Sequence, residues 1–231
     1  MSDIADQLRH NLSAIEQGIE SACKKAGRDR ATVQLVAVTK YAEWKWVEEL
    51  IHLGYQHLGE SRPQQLVERS EQTTARVRWH MIGQLQRNKV RKIITLTHLI
   101  HSVDSLKLLT AVDRIAAEEN VNPRVLLQVN VSGEESKQGF SPAEWKEVWT
   151  EVEACNHVRV SGLMTMAPLV DNPEDARPTF RKLKQLQDEM NQSSRVELRE
   201  LSMGMSHDYQ IAIEEGATLV RIGSSLFEGL G

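Results

Sequence analysis

Apolar positions near the start of the chain recur at alternating steps of four and three. Leu8, Leu12, Ile15, Ile19, Ala22 and Ala26 therefore share one face, and the spacing predicts an amphipathic helix over residues 3–26. Gly27 follows as a C-terminal stop. Beyond it the period changes. Short apolar, β-branched runs appear at 33–39, 57–60, 79–85, 98–103, 124–131, 158–166, 199–205 and 218–223. Most do not alternate polar with apolar, which is the pattern of parallel strands covered on both faces.

Helical patterns separate these runs. One opens at Ser141-Pro142-Ala143-Glu144, where Ser can cap, Pro suits the first turn and Glu closes a capping box. Another carries Phe180, Leu183, Leu186 and Met190 on one side, and a third is expected from Ser206 to Glu215, ended by Gly216. Eight strands alternating with helices predict an α/β fold, a single (β/α)8 TIM barrel with an extra N-terminal helix. The rival is a doubly wound open sheet, which would show a glycine-rich phosphate turn after its first strand. Here "VAVT" is followed by "KYAEW". No Gly/Ser-rich linker interrupts the pattern, so one domain over residues 1–231 is expected.

Composition acts by exclusion. With 28 Lys and Arg against 32 Asp and Glu, the formal charge is −4, so no basic field invites nucleic acid or an anionic membrane. The 2 cysteines, Cys23 and Cys155, lie far apart and suit a reducing cytoplasm better than a disulfide framework. The start "MSDIADQLRH" lacks the basic and apolar regions of a signal peptide. No apolar run approaches the roughly 20 residues that cross a bilayer. A soluble, cytoplasmic protein is expected.

Sites in such barrels form on the loops after the strands. The strand ends are Lys40, Glu60-Ser61, Gln84-Leu85-Gln86, Asp104, Asn130-Val131-Ser132, Thr165-Met166, Gly204-Met205-Ser206 and Gly223-Ser224-Ser225. They hold one ammonium, several hydroxyls and amides, and no convergent pair of carboxylates. Lys40 reads either as a snorkelling charge or as an amine held in the barrel mouth, where desolvation would favour Schiff-base chemistry. In "LSMGMSHD" Ser206 reads as a helix cap or as part of an anion site. Arg221 lies inside the apolar strand "LVRI" and needs either an internal salt bridge or a ligand. The loops after strands 7 and 8 of barrels frequently bind phosphate. An amine on strand 1 with an anion cradle on strands 7 and 8 suits a ligand bearing an aldehyde and a phosphate. Pyridoxal 5′-phosphate (PLP) has both, although spacing alone does not name it.

Other chemistry finds less support. His98 and His101, three apart on a strand, are expected to face opposite sides and so not to chelate together. His80 and His207 have no Cys or carboxylate at ligand spacing. Cys23 is expected on the core face of the first helix and Cys155 near a helix end, both inert. Glu60 and Ser61 read equally as mouth residues or as a solvated loop, and Lys137 in "GEESKQGF" reads as solvated, with a contact to ligand phosphate as the minority alternative.

The motifs "LVAVTK", "LGES", "WHMIGQLQRNK", "ESKQGF", "GLMTMAP", "LSMGMSHD" and "VRIGSSLF" run in order over nearly the whole chain. In them the sequence resembles the pyridoxal phosphate homeostasis protein family, which is similar to the barrel domain of alanine racemase. The resemblance implies that Lys40 carries PLP as an internal aldimine, that Arg221 lies by the pyridine nitrogen, and that Ser206 with Gly223 and Ser224 binds the phosphate. The chain departs from the family pattern at Ser61, where Asn is usual, and at Glu228, where Gly is usual. The first departure puts a contact from the asparagine amide in doubt.

The resemblance also implies a protein that binds, stores or delivers PLP and balances vitamin B6 and amino/keto-acid pools, without turnover of its own. Apo PLP-dependent enzymes are its conceivable partners, and a monomer is expected. The alternative is a PLP-dependent amino-acid racemase. Such racemases need a second domain that supplies an opposite-face base, and the ending at Gly231 is read as leaving no room for it.

Overall fold

A computed structural model describes residues 3–131, 138–142 and 144–230. Lys137, Ser132 and Ala143, named above, lie outside them. The strands are β1 (Gln34–Val38), β2 (His57–Glu60), β3 (Arg78–Met81), β4 (Thr97–Val103), β5 (Arg124–Gln128), β6 (Arg159–Met164), β7 (Glu200–Ser202) and β8 (Leu219–Ile222). All neighbours are parallel, and β8 pairs with β1 to close the barrel in sequence order. The helices are α1 (Asp3–Lys25), α2 (Trp44–His52), α3 (Pro63–Glu71), α4 (Val90–Ile93), α5 (Leu106–Glu119), α6 (Trp145–Glu153), α7 (Arg177–Ser193) and α8 (Tyr209–Glu214). The TIM-barrel expectation with its extra leading helix is met, and the open sheet is ruled out by the β1–β8 pairing.

Strand alternation divides the core in two. Leu35 and Ala37 of β1 face the helices together with Leu58, Met81, Val125 and Leu127. Val36 faces inward and packs with Leu99, Leu126, Met164 and Leu219. These residues of β1, β4, β5, β6 and β8 leave the interior partly polar, since Arg221, His80, His101 and Ser202 are buried as well.

Local chemistry explains the helix ends. Gly27 has φ +64, its N–H bonds to Lys24 O at 3.2 Å, and Arg28 N–H bonds to Cys23 O at 2.9 Å. These are the two bonds of a Schellman motif, which needs the left-handed conformation that glycine adopts freely. The Ser141–Glu144 capping box forms in both directions, at 3.0 and 3.2 Å, and α6 proper begins at Trp145. The last helix is shorter than expected, because α8 starts at Tyr209. Asp208 closes the turn before it by accepting from Met205 N–H at 2.6 Å, which releases Ser206 from the capping role.

Candidate functional site

The C-terminal mouth collects the residues singled out in the sequence. Inward positions on β1 alternate, so Lys40 shares the parity of Val36 and lies just past the strand end. It is half-buried, and its Nζ lies 5.0 Å from the centre of the Tyr41 ring. On the neighbouring strand Arg221 stands in register with Val36, four residues below Lys40.

The backbone that carries Lys40 is clamped from outside the barrel. Arg69 of α3 donates to Thr39 O at 2.7 Å and to Ala42 O at 2.5 Å, and it pairs with Glu60. Thr39 Oγ1 also donates to Glu60, and Gln65 Nε2 donates to Lys40 O at 3.1 Å. Glu60 is 0% exposed, so the solvated-loop and mouth readings both fail for it: it shares the outward parity of Leu58 and faces α3. Burial pushes its carboxyl above the usual range, opposed by the Thr39 bond and the Arg69 charge. Ser61 is half-buried, and a Cβ added at Gly83 would come within 2.3 Å of its carbonyl, so this loop needs glycine there.

Arg221 is only 4% exposed and among the described residues has no carboxylate in contact, so the internal salt-bridge reading is replaced by neutral partners. Its Nη1 donates to Ser202 Oγ at 2.6 Å and its Nη2 to Thr165 O at 3.0 Å. Burial lowers its pKa to about 10, with the more distant Asp208 acting the other way, so the guanidinium stays charged at neutral pH.

Ser206, Gly223 and Ser225 come together at the ends of β7 and β8. Ser206 Oγ accepts from Gly223 N–H at 3.2 Å and from Ser225 N–H at 3.4 Å. Two backbone donors and one hydroxyl then converge on one point, a donor set suited to phosphate oxygens. A Cβ on Gly223 would come within 3.2 Å of Val38 O, so the glycine lets the cradle press against β1 two residues before Lys40. Ser224 opens the 3-10 turn Ser224–Leu226. Ser225 stands in the strand-8 end read from the sequence but not in the phosphate set of Ser206, Gly223 and Ser224, since loop spacing does not show which amide turns inward. Around the mouth, large apolar side chains lie exposed: Tyr41 at 82%, Leu169 at 98%, Met166 and Met205.

His98 and His101 do not face opposite sides. The register of β3 on β4 slips between Trp79–Thr97 and His80–Leu99, and this bulge breaks the alternation. Both rings lie against His80, with centroids 5.5 and 5.0 Å away. Among the described residues no group of three or more His, Cys, Asp or Glu is placed to hold a metal ion. Cys23 is buried on α1 and Cys155 follows α6, both as free thiols, with burial raising Cys155 to about 11. No helix of the described residues is long and apolar enough to cross a membrane.

Comparison with known proteins agrees with this fold. The family model for the N-terminal domain of alanine racemase matches residues 6–230. The pyridoxal phosphate homeostasis protein of Aquifex aeolicus is 42% identical over 217 residues, covering 94% of this chain and 95% of that protein. The structure of PipY from Synechococcus elongatus with PLP bound superposes with a TM-score of 0.81 at 33% identity, over 91% of this chain and 99% of that one. An alanine racemase of Clostridium difficile shares the fold alone, with TM-score 0.74 at 15% identity, over 96% of this chain and 55% of the racemase.

Proposed function

The chain belongs to the pyridoxal phosphate homeostasis protein family, within the alanine racemase N-terminal domain fold, and from that premise we propose that it binds PLP and serves vitamin B6 homeostasis. In this reading residues 1–231 act as one cofactor-binding barrel. The observation that carries it is the convergence at one mouth of the half-buried Lys40, the charged and buried Arg221, and the Ser206–Gly223–Ser225 donor set.

The residues fit the cofactor by their chemistry. Lys40 is the amine for the aldehyde. Ser206 and the N–H groups of Gly223 and Ser225 would hold the phosphate, with Ser224 opening their turn. Arg221, which can only donate, would oppose protonation of the pyridine nitrogen. When bound, PLP supplies an electrophilic aldehyde and an electron-withdrawing ring. Arg221 restrains the second property, and Ser202 and Thr165 hold its guanidinium in place. The balance favours retention of the cofactor over transformation of a substrate. The names of the relatives support the same reading.

Single amino acids incubated with PLP-loaded protein in deuterated water test this. The expected result is no sustained α-proton exchange. Steady exchange abolished by Lys40→Ala would establish the racemase-type alternative instead.

A further inference from the structure

The end of the barrel opposite Lys40 is built from polar and charged side chains. Arg78 Nη1 lies 3.0 Å from His57 Nε2, His57 Nδ1 lies 2.9 Å from His80 Nε2, and His80 Nδ1 lies 2.8 Å from His101 Nε2. His101 Nδ1 then lies 2.8 Å from Ser202 Oγ, the oxygen that accepts from Arg221. One unbroken relay thus threads the interior from the N-terminal rim to the arginine at the mouth.

Proton counting fixes its polarity. A guanidinium only donates, so Arg78 makes His57 Nε2 an acceptor. A neutral imidazole has a single N–H, so His57 must carry it on Nδ1 and donate to His80. The same step repeats at His80 and His101. Ser202 Oγ then accepts from both His101 and Arg221, and its own proton points elsewhere. The rings are neutral, since burial, with neighbouring positive charges, lowers His57 to about 4 and His80 and His101 well below the ordinary value.

The rim end opens into a cavity of about 680 Å³ walled by His57, Arg76, Arg78, His98, Arg124 and Glu200. Both oxygens of Glu200 are engaged, Oε1 by Arg124 at 2.9 Å and Oε2 by the Thr218 hydroxyl at 2.8 Å. Among the described residues Arg76 and Arg78 have no carboxylate partner. Three guanidinium forks therefore face the cavity against one carboxylate, a surplus of the groups that grip oxyanions in two-pronged fashion.

We propose that this cavity is a second binding site, for a small oxyanion bearing phosphate or carboxylate groups, and that its occupancy is passed to Arg221 through the histidine relay. An oxyanion that draws Arg78 away leaves His57 Nε2 able to hold a proton. The opposite set then becomes allowed, with Nε2–H on all three rings and the Ser202 hydroxyl donating to His101. The two sets hold equal numbers of protons: each ring gives up its Nδ1 proton and gains one at Nε2, and Ser202 carries a single proton in both, turned toward His101 in the second. Arg221 competes with His101 for the Ser202 oxygen only in the first set.

Long-range 1H–15N spectra of the histidine rings, recorded on full-length protein with inorganic phosphate or succinate against chloride at equal ionic strength, test the proposal. Without ligand, Nδ1–H resonances are expected for His57, His80 and His101. Titration with at least one of the two anions should convert them toward Nε2–H, and the anion that acts identifies the ligand class. Arg78→Ala, at an exposed position, should weaken that response at least ten-fold. Nε2–H rings in the free protein would overturn the relay. No response to either anion, or an equal one in Arg78→Ala, would overturn the site. The link to Arg221 matters for PLP only if the function proposed above holds, but neither readout requires bound PLP, so the two can fail separately.

Discussion

Arg69 donates a hydrogen bond to the carbonyl of Thr39 at 2.7 Å and so fixes the backbone one residue before Lys40. The same guanidinium neutralises Glu60, which is fully buried behind β2. Position of the reactive amine and stability of the barrel wall therefore depend on one side chain from the helix layer.

Replacing Arg69 by Ala leaves the Glu60 carboxylate buried and unpaired. A loss of about 3–5 kcal/mol is expected, the cost typical of breaking one partner from a buried pair. Urea unfolding measures it. Arg69→Ala with Glu60→Gln should recover part of the stability and not the PLP occupancy, because Thr39 and Ala42 remain unclamped.

Ser206→Ala should weaken PLP binding about ten-fold, the scale of one charge-assisted hydrogen bond. Binding of pyridoxal, which lacks the phosphate, should be unchanged. Equal losses for both ligands in a titration followed by absorbance would remove Ser206 from the phosphate cradle.

Arg221→Ala should lower cofactor retention more than it lowers the unfolding midpoint of the cofactor-free protein. Its hydrogen-bond partners are a hydroxyl and a carbonyl, so its removal strands no opposite charge. Dialysis followed by fluorescence of the retained cofactor, beside thermal unfolding, separates the two effects.

Acid should destabilise the protein between about pH 6.5 and 4. The His57 pKa falls from 6.5 unfolded to about 4 folded, mainly through burial. The unfolded chain therefore binds more protons in that window, and stability rises with pH until it levels off above the unfolded value. Glu60, with its raised folded pKa, works in the opposite direction. Unfolding midpoints measured across the window should rise with pH, and the slope should flatten in His57→Gln.

The barrel was legible because each strand is a short apolar run bounded by helical patterning. Lys40 and Arg221 stood out as charges at places where charge is costly, and the closure of β8 on β1 puts both on one side. Arg69 was not legible, since an arginine on a short helix reads as a solvated residue until the outward parity of Glu60 gives it a partner. The histidine relay was hidden because His57, His80 and His101 lie on three different strands, and only the barrel brings their rings together; the slip at His98 is likewise something no two-residue alternation anticipates. Of the two sequence readings of Ser206, the helix cap fails: Asp208 closes that turn and leaves the Ser206 hydroxyl to the amides of Gly223 and Ser225.

The central claim is that Lys40 carries the cofactor, and borohydride reduction of PLP-loaded protein followed by peptide mapping tests it most directly. The account predicts a single pyridoxyl adduct on the peptide that contains Lys40, absent in Lys40→Ala. An adduct on a different lysine, or none at all, would contradict it.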